Sequence, residues 1–184
     1  MIEGVAMYLV FEDGIHDSDL SFLRDLFGLL DAKFDEVQQR IDECWDPDQM
    51  GLFDDAEYLV GMGFIGCQRY MASTYGPRGI AKHDALRVGP CHPGGETYAR
   101  VLNSAANYWK HVDEWDLHAL TPQQSETIRI IETVTPFADY TCANLLASLA
   151  VPDEPRLMNL IASLESWRNH LHAVLAGGSV DGPA

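Results

Sequence analysis

The chain has 184 residues, 47% of them hydrophobic, and carries a formal net charge of −16. Four Trp, seven Tyr and seven Phe are ample material for a core, which excludes an intrinsically disordered chain. The acid excess excludes nucleic-acid binding over most of the surface, because such binding needs cations to displace counterions from phosphates.

The charge is unevenly spread. Residues 1–60 hold sixteen Asp and Glu against only Arg24, Lys33 and Arg40, a net of −13, whereas residues 61–184 carry a net of −3. Between Arg69 and Arg100 five bases stand against Asp84 and Glu96, so contact with nucleic acid is expected only along that basic segment, 69–100. The acidic first third is expected either to keep the protein soluble or to dock a basic partner protein. Cys44, Cys67, Cys91 and Cys142 lie far apart and form no C-x-x-C pair, which reads as reduced thiols in a cytoplasmic protein. The short apolar run Val5 to Phe11 follows Glu3, where a secretory signal would carry positive charge. No stretch approaches the length of a membrane span, and no membrane contact is expected.

Residues 1–16 read as an N-terminal segment, extended at most over 1–11. Asp17 and Ser18 then look like an N-cap. Behind them Leu20, Leu23, Phe27, Leu30, Phe34, Val37, Ile41 and Cys44 step by threes and fours over about seven helical turns. Asp25, Asp31, Asp35, Asp42 and Glu43 occupy the other face, so this helix is expected to carry much of the acidic surface. Asp46-Pro47 predicts the start of a second helix, with the cap before a proline at the first helical position. Its stripe runs through Phe53, Ala56, Val60, Phe64, Cys67 and Met71 and ends at Gly76-Pro77.

Within that stripe Gly61-Met62-Gly63-Phe64-Ile65-Gly66 spells the G-x-G-x-x-G of a dinucleotide-binding turn. The motif works only between a strand and a helix, where pyrophosphate meets the helix N-terminus. Here the glycines fall inside a helix, and small residues that admit a close neighbour are the expectation. From about 76 to 95, five Gly and three Pro without periodicity predict one long loop.

Glu96 to about Leu120 predicts the third helix. Tyr98, Val101, Leu102, Ala105, Trp109, Val112 and Asp116 would share one side of it, apolar except for Asp116, and Arg100, Asn103, Asn107, His111, Glu114 and His118 roughly 80° of arc on the other. Surface faces are usually rich in Lys and Glu, whereas Arg, Asn and His recur at interfaces and sites, so this line is either a solvated face or a buried seam or site. His111, Glu114 and His118 are candidate ligands for a divalent metal, with His83, Cys91 or His92 as a fourth, although no H-E-x-x-H occurs. Apart from that metal no cofactor is expected. Thr121-Pro122 with Gln124 predicts a capping box, Thr135-Pro136 a further helix through Leu149, and Asp153 the last helix, stopped by Gly177-Gly178. The expected architecture is all-α, a bundle of five to six amphipathic helices in one domain over residues 1–178, with 179–184 as a tail.

Two stretches resemble the motif of small bacterial all-α proteins of the HEPN type, which place Arg, often a polar residue, then His four to six positions later on a late helix. Arg168-Asn169-His170-Leu171-His172 has the Arg-polar start, with three residues between Arg168 and His172. Asn107 and His111 sit one turn apart, with Arg100 three turns from His111. The resemblance covers about twenty residues and the helical class. It implies a homodimer with His-bearing helices at the seam, and metal-independent cleavage of RNA by Arg and His or an inactive relative that keeps the fold. In that reading Arg100, Asn107, His111, Arg168 and His172 are the candidate catalytic residues, His moving the proton of a ribose 2′-hydroxyl and Arg stabilising charge on the phosphorane.

The first expectation is different: a non-catalytic protein, immunity-, antitoxin- or inhibitor-like, that binds another protein, such as a basic nucleic-acid-handling one, through its acidic first two helices and the polar line on the third. Homo-oligomerisation is expected in either case.

Overall fold

The computed structural model describes residues 8–11 and 14–176. A short antiparallel hairpin, β1 (Tyr8–Phe11) and β2 (Gly14–Asp17), precedes the helices, with Tyr8 opposite Asp17 and Phe11 opposite Gly14. The helices are α1 (Ser18–Glu43), α2 (Leu52–Tyr75), the short α3 (Lys82–Ala85), α4 (Tyr98–His111), α5 (Pro122–Glu132), α6 (Thr141–Ala150) and α7 (Leu160–Leu175). The expected all-α bundle is therefore what forms, seven helices among the described residues, with extended chain reaching Asp17 rather than stopping near residue 11. The predicted stop at Gly177-Gly178 and the tail lie outside the described residues.

α2 and α4 form the centre: α2 contacts α1, α4, α6 and α7, and α4 contacts α5 as well. Phe27, Phe64, Cys67, Leu102, Ala105, Leu145, Leu164 and Trp167 fill the space between them. The glycines of α2 permit this closeness. A Cβ on Gly61 would stand 2.2 Å from the Trp109 ring, and one on Gly63 would stand 2.3 Å from Leu157. The G-x-G-x-x-G run is thus helix-packing surface within one continuous helix, not a nucleotide turn.

Three buried carboxylates cap helices. Asp17 caps its own α1, accepting from Leu20 N at 2.9 Å. Glu57 on α2 accepts from the N–H groups of Cys142 (2.8 Å) and Ala143 (2.7 Å) at the start of α6. Asp31 on α1 accepts from Leu157 N (2.8 Å) and Met158 N (3.0 Å), opening the 3-10 turn that leads into α7. Each meets unsatisfied N–H groups and the positive end of a helical segment, where an anion is most favourable. Part of the acidic excess is therefore structural, and Asp31 is buried rather than on the outer acidic face.

Several predicted starts move. Asp46 and Pro47 open a turn, with Gln49 N bonded to Asp46 Oδ1 at 3.1 Å, and α2 begins only after Gly51, which is left-handed at φ +67°. α6 begins after Tyr140 at φ +56°, not at Pro136. α7 starts after the Asp31-capped turn instead of at Asp153. The expected long loop contains a 3-10 turn (Gly76–Arg78), α3 and a bridge between Cys91 and Thr97.

Candidate functional site

α4 ends at His111 rather than near Leu120, and a 3-10 turn (Val112–Glu114) follows. Asp113, Glu114 and Asp116 crowd this end, where the negative pole of the helix disfavours carboxylates. The chain turns back, and Trp115 meets Tyr108 edge-on with centroids 6.0 Å apart. The projected line from Arg100 to His118 is therefore broken: His118 lies exposed in a later turn, its N–H bonded to Asp116. His111 Nδ1 stands 3.5 Å from Glu114 Oε2, both exposed. Among the described residues no group of three His, Cys, Asp or Glu side chains is arranged to hold a metal.

The rest of the line does face a feature. Two adjoining hollows of about 300 and 380 Å³ run between α4 and α5 and share Asn107, Gln123 and Thr127. His111, Glu114 and Trp115 line one end; Lys82, His83, Arg100, Asn103 and Ser104 line the other. Gln68 of α2 fixes the middle, donating to Asn103 Oδ1 and Asn107 Oδ1 at 2.9 Å each and accepting from Lys110 Nζ at 2.6 Å. Burial pulls the Lys82 amine below its ordinary range, and the charge of Lys110 adds to that. Thus the groove gathers Arg100, Asn107, His111 and Glu114 from the predicted set, together with Lys82, Gln123 and Thr127, which no sequence pattern marked, while Gln68 holds Asn103 and Asn107 without lining either hollow.

What this groove can do is limited by spacing and by charge. Arg100 and His111 are eleven positions apart, about 16 Å of helical rise, too far to act on one phosphate within one chain. Arg100 is also committed to carboxylates: it bonds Glu96 and meets Glu126 at 2.9 Å, while Arg129 joins the same two acids at 2.7 Å each. The hydrogen bond from Arg129 leads the interactions that hold the Glu126 carboxyl down at about 2.

Arg168 and His172 lie elsewhere. Arg168 is buried. Its guanidinium meets Asp17 Oδ2 at 2.8 Å, and the same oxygen accepts from Tyr70 at 2.7 Å. Burial, then the bond to Asp17 and its charge, push the Tyr70 phenol up. This triad ties α1, α2 and α7 together. His172 is half-buried on α7, and it is not among the residues lining the groove.

The acidic surface survives in modified form. Asp31 leaves it, and Asp35 is tied to Arg156 at 2.6 Å. The densest acid lies where α1 ends and turns into α2. Between Ile41 and Asp54 stand Asp42, Glu43, Asp46, Asp48 and Asp54, with no Lys, Arg or His. In their midst Trp45 is 86% exposed, and Met50, five residues on, is exposed as well. All four cysteines are free, and burial pushes the Cys67 and Cys142 thiols up, which removes both as nucleophiles. Among the described residues no helix is long and apolar enough to cross a membrane. Comparison of the chain with protein-family models, with curated proteins and with solved structures finds no match.

Proposed function

We propose that this chain acts by binding a basic protein through the acidic turn between α1 and α2, as an immunity, antitoxin or inhibitor component would. One observation carries the reading: Trp45, 86% exposed, has Asp42, Glu43, Asp46 and Asp48 within three residues of it and no cation nearer in sequence than Arg40. Trp exposed to this degree contributes nothing to the core, yet it is the side chain most often found as an energetic anchor in protein interfaces. The carboxylates around it would steer a basic partner and reject acidic ones, an effect that fades with salt. A partner that handles nucleic acid has the matching charge. Free thiols suit work in the reducing cytoplasm.

The test is comparative capture with three baits: the wild-type chain, Trp45→Ser, and Val151→Ser as a control at another exposed apolar position. The reading expects a set of basic proteins held by wild type and control, lost with Trp45→Ser and lost as salt is raised. Retention that ignores Trp45 overturns it.

A HEPN-like ribonuclease is the second reading, supported by Asn107 and exposed His111, one turn apart, lining the α4–α5 groove. Because Arg100 cannot reach the same phosphate, this reading needs an Arg from a second chain. RNA cleavage that persists in both His111→Ala and His172→Ala would remove it.

A further inference from the structure

At its Lys82 end, the hollow between α4 and α5 is lined by donors that the chain itself leaves unmatched. Ser104 on α4 lines this hollow and is only 3% exposed, and its hydroxyl has no hydrogen-bond partner among the described residues. A buried hydroxyl in that state costs stability unless something else meets it. Asn103 beside it is 8% exposed, and its amide is oriented from a distance. Lys110 Nζ can only donate, so the Gln68 oxygen must face it, and Gln68 Nε2 must be the atom that reaches Asn103 and Asn107. Both asparagines therefore turn Oδ1 toward Gln68. Each Nδ2 amino group is left without an acceptor among the described residues.

The charges point the same way. Lys82 stands at the rim with no acid paired to it among the described residues, and Lys110 is near enough for its charge to oppose that of Lys82. Arg100 and Glu126 also border the hollow, but each is already matched in the network with Glu96 and Arg129. The unmatched groups are thus a hydroxyl, two amide amino groups and an ammonium, all able to donate and together positive. Such a set complements an anion. A single ammonium with no uncommitted guanidinium suits one negative charge, and Glu126 on the wall disfavours a dianion such as phosphate. Leu86 and Ile130 supply an apolar wall, and about 380 Å³ leaves room for a body of several carbons. We propose that this hollow binds a small organic monocarboxylate, its carboxylate held by Ser104, Asn103 and Lys82 and its apolar body laid on Leu86 and Ile130.

This hollow is distinct from the acidic turn at Trp45, and neither result decides the other. The experiment is an NMR titration of the full, isotope-labelled chain with butyrate, acetate, butylammonium and inorganic phosphate. Butyrate is expected to move the side-chain amide signals of Asn103 and Asn107 to saturation, with a Kd of about 1 mM or tighter. Acetate, shorter by two methylenes, should bind about tenfold more weakly. Ser104→Ala and Lys82→Met should each weaken butyrate by about tenfold or more, since each removes a bond to a charged ligand. Ser104→Ala should unfold at a temperature no lower than wild type, so its loss of binding is not a loss of fold. Four results overturn the proposal: no saturable shift with butyrate, butyrate binding unchanged in either variant, any of the other three probes bound as tightly as butyrate, or a Ser104→Ala chain that unfolds earlier than wild type.

Discussion

Asp31→Ala separates structural acid from binding acid. Both oxygens of Asp31 accept backbone N–H groups, from Leu157 at 2.8 Å and Met158 at 3.0 Å, and the side chain is almost wholly buried. Alanine removes both acceptors. A buried donor left without a partner costs about 1–3 kcal/mol, and a lost helix cap about 0.5–2 kcal/mol, which overlap here. The N–H of Leu157 is deeply buried and cannot turn to water, whereas that of Met158 lies nearer the surface and recovers part of its loss. The expected destabilisation is about 2–4 kcal/mol, a large share of a domain's total of about 5–15 kcal/mol. In urea the midpoint should fall by about 1–2 M at unchanged slope. Asp25→Ala, exposed on the same helix, should stay within about 0.5 kcal/mol of wild type. An Asp31→Ala midpoint equal to wild type, or an equal fall in Asp25→Ala, would refute the capping role.

Three further outcomes follow from the same packing. Arg168→Met leaves the Asp17 carboxylate buried with Tyr70 and Leu20 as its donors among the described residues, and equilibrium unfolding should show a loss of about 3 kcal/mol. Gly61→Ala places a methyl on the Trp109 ring, so thermal unfolding should occur at a lower temperature although alanine is the better helix former by about 1 kcal/mol. Glu126 titrates at about 2 in the folded chain against an ordinary 4.5, so its contribution to stability is full above pH 4.5 and disappears as pH falls toward 2. Glu126→Gln should accordingly be less stable than wild type at pH 6, with the gap closing on acidification.

Periodicity made most of the helices legible. The stripe from Leu20 to Ile41 lies in α1, Thr121 and Gln124 close the capping box of α5 as their spacing indicates, and Asp17 caps α1. The end of α4 is legible too, in the carboxylates at 113, 114 and 116, which the negative pole of a helix disfavours. The long-range roles were not legible. Glu57 caps a helix that begins at Thr141, Asp31 caps Leu157, and Arg168 meets Asp17, pairs that only the folded chain brings together. An acid in an exposed-looking helical register and one aimed at a distant helix end have the same local sequence. For the same reason the groove's Arg100, Asn107 and His111 were legible as polar positions on one helix, whereas Gln68, which orients Asn107 from α2, carried no signal at all.

The central claim, that the acidic turn at Trp45 is a docking surface for a basic protein, is tested most directly by a photo-crosslinking amino acid placed at position 45. Illumination in the source cells, followed by mass spectrometry of the adducts, reads out what touches that side chain. Abundant adducts to a basic protein at position 45, absent when the same group is placed at position 151 and lost when the cells are lysed into high salt before illumination, are the predicted result. Adducts at position 45 no more frequent or specific than those at 151 would contradict it.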